Sequence, residues 1–135
     1  MVFQLSLSDR VAIATQLANA VAGGKIKMFS GAEPANCAAA DPAGLLATGT
    51  LPAPAMTVAA STAVAAKTGT WTLTGSAAGI IGSFRIYDTA GVCRAQGSVT
   101  MTTAATLGDI TVDNTNIVAN QIVVLGTYTI TPGNA

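Results

Sequence analysis

Residues Ile80 to Val99, IIGSFRIYDTAGVCRAQGSV, constrain the fold more than any other stretch of the chain. Side chains alternate across an extended backbone. Ile80, Gly82, Phe84 and Ile86 therefore fall on one side, and Ile81, Ser83, Arg85 and Tyr87 on the other. Asp88-Thr89-Ala90-Gly91 supplies turn chemistry, and a second run follows from Val92 to Val99. Two β-capable runs joined by a short loop ending in glycine predict a β-hairpin. Phe84 and Ile86 are expected in the core. Arg85, Tyr87 and, on the second arm, Arg94 are expected on the outer face. Arg and Tyr are enriched at interface hot spots, so these three are candidate contact residues. The competing reading is a solvated face, with an arginine paired to Asp88 or Asp109.

The rest of the chain repeats this architecture with weaker lettering. In MVFQLSL, Phe3, Leu5 and Leu7 alternate with Val2, Gln4 and Ser6, which predicts an N-terminal arm or edge strand over residues 1–7. An apolar arm of this kind either closes its own sheet or lies on a neighbouring subunit, so Val2, Phe3, Leu5 and Leu7 are candidate interface residues. Ser8 is expected to cap a helix over Asp9 to Ala22, with Asp9 complementing the dipole. Its apolar stripe runs through Val11, Ala14, Leu17, Ala18 and Val21, widened by Ile13 and Ala20, and Gly23-Gly24 ends it.

Lys25 to Ser30 reads as a strand with Ile26 and Met28 inward and two lysines outward, where they discourage edge pairing. Residues 31–44 are rich in Ala, Pro, Gly and Asn and predict a long loop. Loops of that length often carry contacts, which makes Glu33 and Pro34 candidates. Further strands are expected over Leu45 to Leu51, Met56 to Ala66, Thr68 to Thr74, Leu107 to Val112 and Gln121 to Thr131. Trp71 and Leu73 point inward in the Thr-alternating run. Val123 to Leu125 is apolar on both faces, which predicts a strand covered on both sides. About eight short strands and one early helix predict an all-β fold, a jelly-roll-like β-sandwich in one domain over residues 8–135.

Composition then narrows function. Charged residues make up 9% of the chain, against roughly 25% in ordinary soluble domains. Six basic and six acidic side chains cancel, so no basic stripe recommends direct nucleic-acid binding. A nearly uncharged surface has little self-repulsion and favours association. No window of about 18 apolar residues predicts a membrane span, and MVFQLSLSDR lacks the pattern of a secretory leader.

The chain has no histidine, the commonest general base and metal ligand. It has no G-x-S-x-G elbow and no phosphate-binding glycine loop. Asp88, Asp109 and Asp113, with Asn114 and Asn116, form a carboxylate cluster on paper, but turn-formers at strand ends account for them. No enzyme, cofactor or metal is expected. Cys37 and Cys93 lie outside any C-x-x-C pattern. A disulfide between them is allowed but not required, and two half-buried thiols in a protein made in a reducing cytosol are the expected state.

The capped helix running into GGKIKMFSGAEP, then GLLATGTL, FRIYDTAGVCRAQGSV and LGDITVDNTNIVANQIVVLGTYTIT, resembles a group of small virion proteins of tailed bacteriophages. The resemblance covers roughly Ser8 to Thr131, while residues 52–66 and 100–106 match no pattern. Members with known folds include the capsid decoration or cement proteins, jelly-roll or β-sandwich modules bound outside the icosahedral head. The resemblance implies a phage structural protein on the virion surface, made in the host cytoplasm. It further implies a partner in the major capsid protein, self-association as a dimer or trimer, and no catalytic residues. Two other functions stay open: a tail or head–tail connector protein, and a carbohydrate-binding β-sandwich, against which the single tryptophan counts.

Overall fold

The computed structural model describes residues 3–132; Val2, as a candidate contact, lies outside them. Among the described residues there is one helix, α1 (Leu7–Val21), followed by eleven strands. These are β1 (Lys25–Ser30), β2 (Leu45–Thr50), β3 (Met56–Val58), β4 (Ala65–Lys67), β5 (Thr72–Gly75) and β6 (Gly79–Tyr87). There follow β7 (Cys93–Met101), β8 (Ile110–Val112), β9 (Asn116–Ile117), β10 (Ile122–Val124) and β11 (Thr129–Ile130). The expected all-β fold with an N-terminal helix is what the chain adopts.

Eight strands form the main sheet, in the order β10-β5-β2-β1-β6-β7-β8 with β9 paired to β6. Its neighbours run antiparallel except β7 and β8, which are parallel. The ends of the sheet meet. Leu125, just after β10, bridges Val112 of β8, and the Gly126 amide donates to the Thr111 carbonyl at 2.8 Å. The sandwich therefore curls into a near-barrel, which leaves few unpaired edges. Strands β11, β4 and β3 form a second, small sheet. Helix α1 packs on β3 and β4, burying Ala14, Ala18 and Val21 in the same core as Trp71, Phe84 and Ile110. Tyr128 sits in that core between Trp71 and Phe84, with ring centroids 6.0 and 5.4 Å away.

Several local expectations are corrected. The helix cap is Ser6, whose hydroxyl accepts from the Asp9 amide at 3.1 Å and donates to the Asp9 carboxylate at 2.6 Å. This reciprocal pairing starts the helix at Leu7. Leu7 thus belongs to the helix rather than to an arm, and residues 3–6 form no strand. Ile13 is 46% exposed and does not widen the buried stripe. At the other end Gly23 adopts φ +69°, the left-handed conformation that ends a helix.

Strand β1 lies in the middle of the sheet, between β2 and β6, so its lysines guard no edge. The run from Met56 to Ala66 is two strands joined by a turn, not one. The chain around Val123 is covered on one face only: Val123 and Leu125 are buried while Ile122 and Val124 are exposed. The alternation in β6 also changes phase. Phe29 pairs with Ser83 but Ser30 pairs with Ile81, so Gly82 is an extra residue, a β-bulge. Ile81 turns into the core and Ile80 out of it. Glycine is required at the bulge, because a Cβ there would lie 2.4 Å from the Gly31 carbonyl oxygen.

Candidate functional site

The outer face of β1, β6 and β7 is not open to solvent. Residues 31–44 form no helix or strand and fold back across it. Beneath them Phe29, Ser83, Arg85 and Tyr87 are buried, although all four point away from the barrel core. Local chemistry shapes the loop. The Asn36 side-chain carbonyl accepts from the Ala38 and Ala39 amides at 2.9 and 3.1 Å, an Asx turn that places Cys37 at its tip.

Arg85 is the centre of the arrangement. Its side chain is 2% exposed. Nη1 donates to Asp41 Oδ1 at 2.7 Å. Nη2 lies 3.1, 3.0 and 3.0 Å from the carbonyl oxygens of Asn36, Cys37 and Ala39. Nε donates to the Gln96 side chain at 3.3 Å, and Gln96 Nε2 donates to the Pro34 carbonyl at 2.5 Å. A planar guanidinium with five donors suits such a cage of carbonyls, which a point-charge ammonium cannot reproduce.

Asp41 closes the ring. Besides Arg85 it accepts from the Tyr87 hydroxyl at 2.5 Å and from Lys27 Nζ at 3.4 Å. Lys27 also lies 4.7 Å from the Tyr87 ring centroid, a cation–π contact. Partial burial works to raise the Asp41 pKa, but hydrogen bonds from Tyr87, Arg85 and Lys27 outweigh it and hold the carboxyl below its ordinary value. Burial, then the hydrogen bond to Asp41, pushes the Tyr87 phenol well above its ordinary pKa. The cluster is thereby fixed as a carboxylate facing a neutral phenol and two cations.

A disulfide completes the attachment. Cys37 of the loop is bonded to Cys93 of β7, 56 residues away, with Cα atoms 5.4 Å apart. The expected pair of free thiols is thus corrected. A second bulge makes the bond reachable. Ile86 pairs with Ala95 and Tyr87 with Cys93, so Arg94 is the extra residue. Ala95 packs against the core, and strict alternation would send Cys93 the same way; the bulge turns it outward toward the loop.

The sequence-derived candidates separate into groups. Arg85 and Tyr87 are buried within the chain and do not form the outward contact surface expected of them. Their face is covered by the chain's own loop. Pro34 joins the same cluster through its carbonyl, while Glu33 is exposed on the loop. Arg94 is on the surface, its Nη2 2.8 Å from Asp88 Oδ2, which matches the solvated ion-pair reading. Asp88 also accepts from the Ala90 and Val92 amides at 2.9 and 3.0 Å, and these bonds, the Val92 one first, lower its pKa despite partial desolvation. Phe3 is 76% and Leu7 44% exposed, with Leu5 half-buried between them.

Asp41, Asn36 and Gln96 are the residues that sequence reasoning missed. One signal pointed to them: a cysteine inside a long loop and another on the hairpin, beside a polar Arg and Tyr in phase with each other.

Among the described residues no group of three His, Cys, Asp or Glu side chains gathers as a metal centre. Asp109 instead accepts from the Ser98 amide and hydroxyl. No helix among them is long and apolar enough to cross a membrane. A groove of about 530 Å³ runs over the outer face of β1, β2 and β5, lined by Lys25, Lys27, Thr48, Thr50, Thr72 and Thr74. Comparison of the chain with protein-family models, curated protein sequences and solved structures finds no match.

Proposed function

We propose that this chain is a structural protein of a bacteriophage virion, a decoration protein that binds the outside of the head across contacts of the major capsid protein. The observation that carries the reading is the loop over residues 31–44. It is held by an ion pair, by hydrogen bonds to three of its carbonyls and by a disulfide. A segment fixed so firmly offers a constant surface shape and suits repeated docking to identical sites better than the motion of a lid. A disulfide also suits a protein that works outside the cell, since such bonds persist on virion and cell surfaces.

The balance of charge supports the same reading, because six cations against six anions give the surface little self-repulsion. Ile122 and Val124, both exposed on one face of β10, add a small apolar patch for contact with the capsid or with a second copy. An interface of about 1,600 Å² per site is the standard size for specific binding.

The test mixes purified, oxidised protein with empty heads that lack it and follows cosedimentation and thermal rupture of the heads. Saturable binding, with heads that rupture at a higher temperature, is the expected result. Absence of binding overturns the proposal. Saturation at tens of copies rather than hundreds supports a head–tail connector instead.

A further inference from the structure

We propose that the Cys37–Cys93 bond is a latch that closes after folding, over a loop that Arg85 and Asp41 have already docked. The loop has holds that do not involve sulfur. Arg85 binds the carbonyl of Cys37 itself, at 3.0 Å, together with those of Asn36 and Ala39 on either side. Asp41 pins the far arm of the loop through Arg85, Tyr87 and Lys27. The Asn36 turn fixes the backbone that carries the three carbonyls. On the other side, the bulge at Arg94 is part of the β6–β7 ladder, so Cys93 faces outward whether or not it is bonded. Folding alone therefore brings the two cysteines to their 5.4 Å Cα separation, inside the range a disulfide requires.

The chemistry is a thiol–disulfide exchange with a low-molecular-weight disulfide as oxidant. One cysteine thiolate attacks the small disulfide, forming a mixed disulfide and releasing one small thiol. The second cysteine thiolate then attacks the protein sulfur of that mixed disulfide and releases the second small thiol. The protein gives up two electrons and two protons, and the oxidant takes up both. A protein made with both thiols reduced thus folds with the loop in place and gains the covalent lock on reaching an oxidising medium. Redox state sets how often the loop opens, not where it rests. This holds whatever particle or partner the protein serves, so it stands independently of the virion proposal.

The experiment compares wild-type protein with Asp41→Ala, each fully reduced and then exposed to oxidised glutathione, with the second, closing step timed by thiol quenching. NMR follows the Arg85 side-chain N–H and the barrel amides. In reduced wild-type protein the Arg85 N–H is expected to stay protected and closure to give a monomeric product. Losing hydrogen bonds to a charged group shifts the docking equilibrium constant by about tenfold or more. Exchange of a docked group scales with its opening constant, so Arg85 N–H exchange in reduced Asp41→Ala is expected to speed up by at least about that factor with barrel amides unchanged. Arg85→Gln, where it folds, loses every Arg85 hold on the loop and is expected to slow the closing step. Loss of Arg85 N–H protection in the reduced wild type with barrel amides intact overturns the proposal. So does Arg85 N–H exchange in reduced Asp41→Ala at the wild-type rate.

Discussion

Arg85 and Arg94 stand on the two arms of one hairpin, and their surroundings in the sequence recommend the same role for both. Their fates differ completely. The Arg85 side chain is 2% exposed and makes hydrogen bonds to a carboxylate, a side-chain amide and three backbone carbonyls. The Arg94 side chain is 46% exposed and meets one carboxylate, Asp88. Strand alternation decides which face a residue points to, but not whether that face meets water. A loop from 44 or more residues earlier in the chain made that decision for Arg85. One residue type thus does two jobs: a buried clamp whose hydration is replaced by a carboxylate and protein dipoles, and a surface partner whose charge water still screens.

Arg85 is where a substitution should cost most. Removing the guanidinium strands the Asn36, Cys37 and Ala39 carbonyls, while Asp41, 39% exposed, keeps Tyr87 and Lys27. Each stranded polar group costs about 1–3 kcal/mol, so Arg85→Ala is expected to lose about 3–5 kcal/mol in urea unfolding with the disulfide intact. Arg85→Lys is expected to recover less than half of the loss, because one ammonium cannot span Asp41 and three carbonyls together. A loss for Arg85→Ala no larger than that for an exposed arginine would show that the loop is held by something else.

The clamp should also give stability a modest pH dependence. Asp41 has a folded pKa below its unfolded value, so the unfolded chain binds more protons in the window between the two. The stability it contributes is present above the unfolded pKa, about 3.9, and is lost as pH falls through the folded pKa. Tyr87 works in the opposite sense. Its folded pKa is raised, first by burial and then by the hydrogen bond to Asp41. Its contribution is therefore present below the unfolded pKa of about 10 and is lost as pH rises beyond it. Urea unfolding midpoints of the wild type are expected to fall on both flanks. Asp41→Asn is expected to flatten the acid flank and to shrink the alkaline one, because the phenol loses its charged acceptor. An acid flank unchanged in Asp41→Asn would assign the acid loss to Asp88 and leave the clamp with Tyr87's alkaline signature alone.

Much of the barrel was legible in the sequence because its signals are local. The Asp88–Gly91 turn, the inward Phe84 and Ile86, and the Ala14–Ala18–Val21 stripe each follow from neighbours within a few positions. The clamp was not legible, because it joins Asn36, Asp41 and Arg85 across more than 40 residues, and no periodicity records that return. Two bulges deepened the difficulty. At Gly82 and at Arg94 a single extra residue reverses the faces, so Ile80 and Cys93 each point opposite to a strict count. A Gly in mid-strand is the ordinary hint of such a break, and Gly82 carried it. Arg94 carried none. The apolar run Val123–Leu125 misled for another reason: closing the barrel needs Val123 and Leu125 inside, and leaves Ile122 and Val124 on a seam strand facing out.

Arg94 should matter least. An exposed pair gains little Coulomb energy and orders a long side chain to keep it, so Arg94→Ala is expected to lose no more than about 1 kcal/mol. That loss should shrink further in about 1 M salt, where screening acts over roughly 3 Å. Asp88→Ala is expected to cost more than Arg94→Ala, because the carboxylate also accepts the Ala90 and Val92 amides that shape the hairpin turn. Arg85→Ala should be worst and barely salt-dependent, Asp88→Ala intermediate, and Arg94→Ala least and salt-sensitive. If Arg94→Ala instead exceeds Asp88→Ala, its guanidinium has a second role on the surface, and the outward contact expected of it from the sequence becomes the first place to look.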